Sequence, residues 1–256
     1  MTFNSVSFFA FFPLAVLVCR LVPRRWQNAA LLAVSYAFYC FNTPAWLPVL
    51  VLDSLATWAL VRRMDAAEGL SRKRRLWAAL GVNLGLLVLL KGASLLLHGA
   101  AVSAGLWQAL SRLGLASEAG GSAFSVILPL GISFFTVQSV GYAVDVYRKK
   151  YAAEPSACNF ALFVSFFPLI SSGPMMRGDK LLPQLRAPRA LRTDRAAHAL
   201  VTFALGLFSK VAVADLLAVF ANAVYGDVTA YTGLTLTFGA LCYGLQLYFD
   251  FSGYSL

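Results

Sequence analysis

The chain has 256 residues, of which 59% are hydrophobic and only 12% charged. A soluble domain carries about 25% charged residues, so this chain has too little polar surface to cover a water-facing globule, and lipid must solvate much of it. The net charge of +10 does not mark a nucleic-acid binder, because most Lys and Arg fall in four clusters that abut apolar stretches, as cytoplasmic loops do.

In chain order, a first span is predicted from about Ser5 to Cys19, closed by Arg20, Arg24 and Arg25. Residues 1–18 carry no Lys or Arg, so this run lacks the basic start of a signal peptide and reads as a retained span. A second span runs from about Gln27 to Phe41, and Pro44 marks a turn after it. The third, about Ala45 to Val61, carries only Asp53 and meets the second basic cluster at Arg62, Arg63 and Arg72–Arg75. The fourth, about Leu76 to Leu97, is interrupted by Lys91. Residues 106–115 are expected to lie on the outer surface as a short amphipathic helix, and a fifth span returns from about Phe124 to Tyr147. The alternation of basic loops puts the N-terminus outside.

Asn159–Pro174 is apolar but short, and basic clusters flank it on both sides: Arg148–Lys150 before it, and Arg177 to Arg195 after it. A single crossing would put one cluster outside. A re-entrant or interfacial hairpin, broken at Pro168 and at 171–174, satisfies length and charge together. Two further apolar stretches follow, about Ala196 to Tyr225, with Lys210 and Asp215, and Thr232 to Ser255. The expected fold class is therefore all-α: a polytopic transmembrane helical bundle forming one membrane domain over residues 1–256, with a hairpin near 159–174.

Polar residues inside spans are the first place to look for function, since their burial is costly unless they pair or face water. Gln138, Tyr142 and Asp145 share a helix face at i, i+4 and i+7. Asp145 sits near Arg148, so it reads either as a local ion pair or as the lining of a polar pocket. Gln246, Asp250 and Tyr254 repeat the pattern, and Asp250 between Phe249 and Phe251 must face the bundle or a cavity. In a regular α-helix Lys210 and Asp215 stand roughly 140° apart and do not pair; Lys210 is left to snorkel or to partner a carboxylate on another span. The four cysteines are isolated, and His98 and His198 lie at span ends. No metal set and no soluble-enzyme motif is present.

Three runs together, Leu128–Arg148 (LPLGISFFTVQSVGYAVDVYR), Phe163–Leu185 (FVSFFPLISSGPMMRGDKLLPQL) and Gln246–Ser255 (QLYFDFSGYS), resemble the bacterial membrane-bound O-acyltransferases, in particular the alginate O-acetylase branch. The Lys210–Asp215 run (KVAVAD) resembles the same branch. The resemblance implies a ring of tilted helices around a funnel. An acetyl group would pass from a cytoplasmic thioester donor, acetyl-CoA or another acyl thioester, toward a periplasmic polysaccharide such as alginate, in the inner membrane and with periplasmic acetyl-transfer or polysaccharide-modifying partners. No bound cofactor or nucleic acid is implied. Gln138, Asp145, Arg177, Lys180, Lys210, Gln246 and Asp250 are the candidate funnel residues, with Arg177 and Lys180 equally explained as ordinary cytoplasmic charges. The family's general-base histidine lies beyond the FDFSGYS run and has no counterpart among these residues. No catalytic residue is carried over, and the expectation is an N-terminal half that is inactive alone. D-alanyl or peptidoglycan acyl transfer by the same family, and a transporter segment or a non-enzymatic remnant, are the rival readings.

Overall fold

The computed structural model describes residues 6–97, 111, 114, 116–119, 123–126, 128–170, 173–187 and 193–255. Four helices come first: α1 (Val6–Leu21), α2 (Gln27–Asn42), α3 (Leu47–Asp65) and α4 (Gly69–Leu97). A small antiparallel hairpin follows, β1 (Ala116–Ala119) on β2 (Ala123–Val126), with Ala116 opposite Val126. Then come α5 (Ile132–Tyr147), α6 (Ala157–Ser165), α7 (Phe167–Ile170) and α8 (Gly178–Arg186). The last stretch is α9 (Thr193–Phe208), a π-helical segment (Ser209–Ala214), α10 (Asp215–Gly226) and α11 (Gly233–Ser255). The all-α reading holds, with the β-hairpin as a minor addition. The predicted surface helix at 106–115 lies outside the described residues except Ser111 and Gly114.

Among the described residues, three helical stretches are long and apolar enough to cross a membrane: Pro44–Asp65, Gly69–Leu95 and Ala197–Gly226. Their outward faces are apolar. On α3 the buried face mixes Leu50, Val61 and Met64 with Asp53, Ser54 and Thr57, while Leu52 and Leu55 are exposed. Val88, Leu89, Leu200, Val201, Leu216 and Val219 are likewise exposed. Large apolar residues along the outer faces of long helices are what lipid selects and water does not.

Two predicted boundaries move. The fifth span was expected from Phe124, but α5 begins at Ile132, because 123–126 pair as a strand and Gly131 takes a left-handed conformation (φ +66°). A β-carbon at Gly131 would overlap the Ile170 carbonyl oxygen, so the loop entering α5 runs directly against the end of α7. The fourth span was placed from Leu76, yet α4 starts at Gly69 and takes in the whole Arg72–Arg75 cluster. Arg72 donates to the Val146 and Tyr147 carbonyls at 2.7 and 3.1 Å. These are among the last carbonyls of α5, which have no partner within their own helix.

The expected break at Pro168 is present, while residues 171–172 of the expected hairpin lie outside the described residues. Ser156 caps α6 by accepting the Asn159 N–H at 3.3 Å, and the helix ends at Phe166, which is extended (ψ 113°). Pro168 has no N–H to continue the ladder, so a separate four-residue turn, α7, begins at Phe167. At nine and four residues neither piece spans a bilayer, which takes roughly 20 residues. Phe160 to Ser165 are buried in protein, the condition under which broken backbone is tolerated at membrane depth. Phe11, Phe38 and Phe167 pack as three rings with centroids 5.6–5.7 Å apart.

The chain forms two compact units, Ala10–Pro188 and Thr2–Phe9 with Arg189–Leu256. In the second, α11 folds back on α9–α10 through two close approaches. A β-carbon at Gly239 would lie 2.8 Å from the Val224 side chain, and one at Gly253 would lie 2.7 Å from the Gly206 carbonyl oxygen.

Candidate functional site

In the first unit the polar groups gather where α5 ends and α8 begins. Asp145, in the last turn of α5, is 8% exposed. Its carboxylate accepts from Lys150 Nζ at 2.6 Å and from Arg177 Nη2 at 3.0 Å. The sequence pointed to Arg148 as the local partner. The turn instead runs through Lys149 in the left-handed region (φ 58°), and the Lys150 N–H bonds the Asp145 carbonyl at 3.1 Å, which brings Lys150 back over Asp145. The hydrogen bond that Arg177 donates to Asp145, reinforced by the carboxylate's charge, raises the proton affinity of Arg177 further. Tyr151, beyond the end of α5, is pushed up first by burial and then by the Asp145 charge, so it stays a neutral phenol.

Gln138, Tyr142, Asp145 and Arg177 line one cleft of about 360 Å³ together with Gly141, Met175, Met176 and Gly178. The predicted face of α5 is therefore real, and Arg177 closes it from the segment that follows the hairpin. Gln138 Nε2 donates to the Phe163 carbonyl at 2.9 Å, one of the end carbonyls of α6 that lack a helical partner. Gly178 is required where it stands: a β-carbon there would meet Tyr151 Oη at 2.5 Å and the Tyr142 ring at 3.1 Å. Lys180 is exposed on the first turn of α8, and it is not among the residues lining this cleft.

A second cleft, of about 620 Å³, opens beside the first unit's basic residues and is lined by Arg62, Asp65, Tyr151, Asp179, Leu182 and Arg186, among others. Its wall depends on Glu154, which the sequence did not single out. Glu154 is 1% exposed. Arg186 grips its carboxylate through Nε at 2.9 Å and through a second, shorter bond from Nη2. The Ser156 N–H and Asn159 Nδ2 donate to the other oxygen at 3.2 and 3.1 Å. Backbone groups of the same loop are held from outside it. The Glu154 N–H donates to Tyr142 Oη at 2.7 Å, Trp58 Nε1 to the Glu154 carbonyl at 3.0 Å, and Arg62 to the Pro155 carbonyl at 2.6 Å. In sequence Glu154 stands in a short loop before Pro155, where solvent exposure is the default; nothing local announces its burial.

In the second unit, Lys210 lies between two carboxylates, 2.8 Å from Asp215 and 2.7 Å from Asp250. The expectation that Lys210 and Asp215 do not pair is corrected, because the intervening turn is π-helical over Ser209–Ala214. The i→i+5 repeat of a π turn puts residues five apart on one face, and such turns recur at functional sites. The partnership with another span is found in Asp250 of α11. Gln246, one turn earlier, is half-buried, and its Oε1 has no hydrogen-bond partner among the described residues. Among the described residues no group of three or more His, Cys, Asp or Glu is placed to hold a metal.

The fold and these sites define the class: a multi-helix membrane protein with a buried, broken hairpin and charged clefts at one end of its first unit. No protein-family profile matches the chain. A probable alginate O-acetylase AlgI from Azotobacter vinelandii is 33% identical over 261 residues, taking in all of this chain and 50% of the relative. The protein of the same name from Pseudomonas aeruginosa is 33% identical over 258 residues, covering 48% of its length. A peptidoglycan O-acetyltransferase from Helicobacter pylori is 29% identical over 281 residues, covering 98% of this chain and 50% of the relative. The chain is similar to the alginate O-acetylases along its whole length, in line with the resemblance read from the motifs. It spans about half the length of the curated relatives it matches.

Proposed function

We propose that this chain belongs to an integral membrane O-acyltransferase that moves an acetyl group from a cytoplasmic thioester donor, such as acetyl-CoA, toward a periplasmic polysaccharide of the alginate type. The observation that carries the reading is the 33% identity to alginate O-acetylases over the full chain. The basic clusters support an inner-membrane location with the N-terminus periplasmic and the two clefts on the cytoplasmic side. Arg177 on one cleft and Arg62 and Arg186 on the other suit the phosphates of a nucleotide thioester, since guanidinium forks recognise phosphate oxygens. A histidine supplied by the rest of the protein would deprotonate the accepting hydroxyl, a task matched to an imidazole near neutral pH. On this reading the 256 residues alone transfer no acetyl groups. Periplasmic polysaccharide-modifying proteins are the proposed partners.

A second reading within the same chemistry, peptidoglycan as acceptor, is favoured by the 29% identity to the Helicobacter pylori transferase. Both are tested by exchanging this chain for the matching segment of each relative in a host deleted for that relative. Ester-linked acetate on alginate well above the deletion strain supports the first reading. Acetate restored only on peptidoglycan supports the second. A membrane-inserted exchange that restores neither contradicts both.

A further inference from the structure

The two clefts of the first unit share one lining residue, Gly178. The Tyr151 hydroxyl stands where a side chain at that position would begin. A β-carbon on Gly178 would lie 2.5 Å from Tyr151 Oη and 3.1 Å from the Tyr142 ring. Tyr151 lines the larger cleft and Tyr142 the smaller, and their ring centroids are 5.9 Å apart. Two aromatic rings against bare backbone therefore stand where the clefts meet.

The two rings are held differently. Tyr142 is 2% exposed, and its Oη accepts the Glu154 N–H at 2.7 Å. Tyr151 Oη is enclosed but has no hydrogen-bond partner among the described residues. The chain on either side of Tyr151 is tied down, by Lys150 on Asp145 at 2.6 Å and by the Ala153 N–H on Asp65 at 2.9 Å. What is left to move is the Tyr151 side chain. An enclosed hydroxyl without a partner is costly, so a rotation that brings it to an acceptor recovers free energy against the ring contact it gives up. Burial keeps the phenol protonated, so it meets that acceptor as a donor.

We propose that Tyr151 is the gate between the two clefts, opening for the slender pantetheine arm of the thioester donor and donating its hydrogen bond to an amide carbonyl of that arm. This rests on a pantetheine thioester being the donor. Its phosphates stay in the larger cleft, which Arg62 and Arg186 line, while the arm passes Gly178 into the smaller one. The absence of a side chain at 178 leaves the threshold as wide as the backbone allows. The arm reaches the gate either as part of free coenzyme A or tethered to a carrier protein, and Tyr151 serves both in the same way.

The test titrates the full chain in detergent, by isothermal calorimetry, with three probes: coenzyme A, 4′-phosphopantetheine, and adenosine 3′,5′-bisphosphate as the head without the arm. Tyr151→Phe removes only a hydroxyl that has no partner in the closed position, so its Tm should match the wild type. It should weaken coenzyme A and phosphopantetheine about fivefold, the worth of one hydrogen bond, and leave adenosine bisphosphate unchanged. Free coenzyme A as the source is supported where adenosine bisphosphate competes with it. A tethered arm is supported where phosphopantetheine binds and adenosine bisphosphate does not compete. Equal affinities of wild type and Tyr151→Phe for the arm-bearing probes overturn the gate and leave the donor reading standing, as does an equal loss for all three probes. No saturable binding of any probe overturns the gate and the donor reading together.

Discussion

Removing Arg186 should cost more than neutralising its partner Glu154, although both changes delete the same ion pair. Glu154 is 1% exposed and the Arg186 side chain 50% exposed. In Arg186→Ala the buried carboxylate keeps only the Ser156 N–H and Asn159 Nδ2, both on one of its oxygens, and loses all compensation on the other. Breaking a buried pair from that side costs about 3 kcal/mol. In Glu154→Gln the shape is retained, and the Arg186 guanidinium, half in water, re-solvates; losing a charge-assisted bond costs about 1.5 kcal/mol. The double variant should therefore be less destabilised than the sum of the two, by at least about 1 kcal/mol. Denaturant titration of detergent-solubilised protein, followed by far-UV circular dichroism, measures all four corners of the cycle. A Glu154→Gln loss equal to or larger than that of Arg186→Ala would refute the reasoning, as would strict additivity.

Gly131→Ala forces a side chain into a left-handed residue pressed on the Ile170 carbonyl. It should cost about 3 kcal/mol or more in the same titration, whereas Gly81→Ala, in the open interior of α4, should gain up to about 1 kcal/mol from helix propensity. Asp145→Asn should release Arg177 from the cleft it lines, read as faster modification of Arg177 by a guanidine-specific reagent; an unchanged rate would count against the clamp. Lys210→Met leaves the half-exposed Asp215 and Asp250 without their shared cation and should destabilise the protein by about 1 kcal/mol, with Asp250→Asn recovering part of the loss in the double variant; no recovery would deny their pairing.

Three of the expected spans, the third, the fourth and the one from about Ala196, were legible because lipid imposes a long apolar run that few other structures share, and Pro168 announced the break in the short apolar stretch after Asn159. What sequence reasoning missed turned on local backbone conformation. A regular α-helix keeps Lys210 and Asp215 apart; only the π turn over 209–214 joins them, and helical periodicity carries no sign of it. Left-handed Lys149 likewise redirected Asp145 from Arg148 to Lys150. Glu154 was invisible for another reason: its charged partner Arg186, 32 residues on, is brought to it by the packing of α8, not by spacing along one element. Among the candidate residues, Gln138, Asp145 and Arg177 meet at one cleft and Lys210 and Asp250 at another cluster, while Lys180 stands exposed.

The central claim is that this chain serves acetyl transfer across a membrane. Its most direct measurement follows labelled acetyl-CoA, or a labelled acyl thioester, in membrane vesicles carrying the Pseudomonas aeruginosa protein with its matching segment replaced by these 256 residues. Label should appear as alkali-labile ester on added alginate and fall at least about tenfold in the Arg177→Ala form, the loss expected for one charge-assisted phosphate contact. Vesicles that hold the inserted protein at the level of the native enzyme yet leave alginate unlabelled would contradict the account.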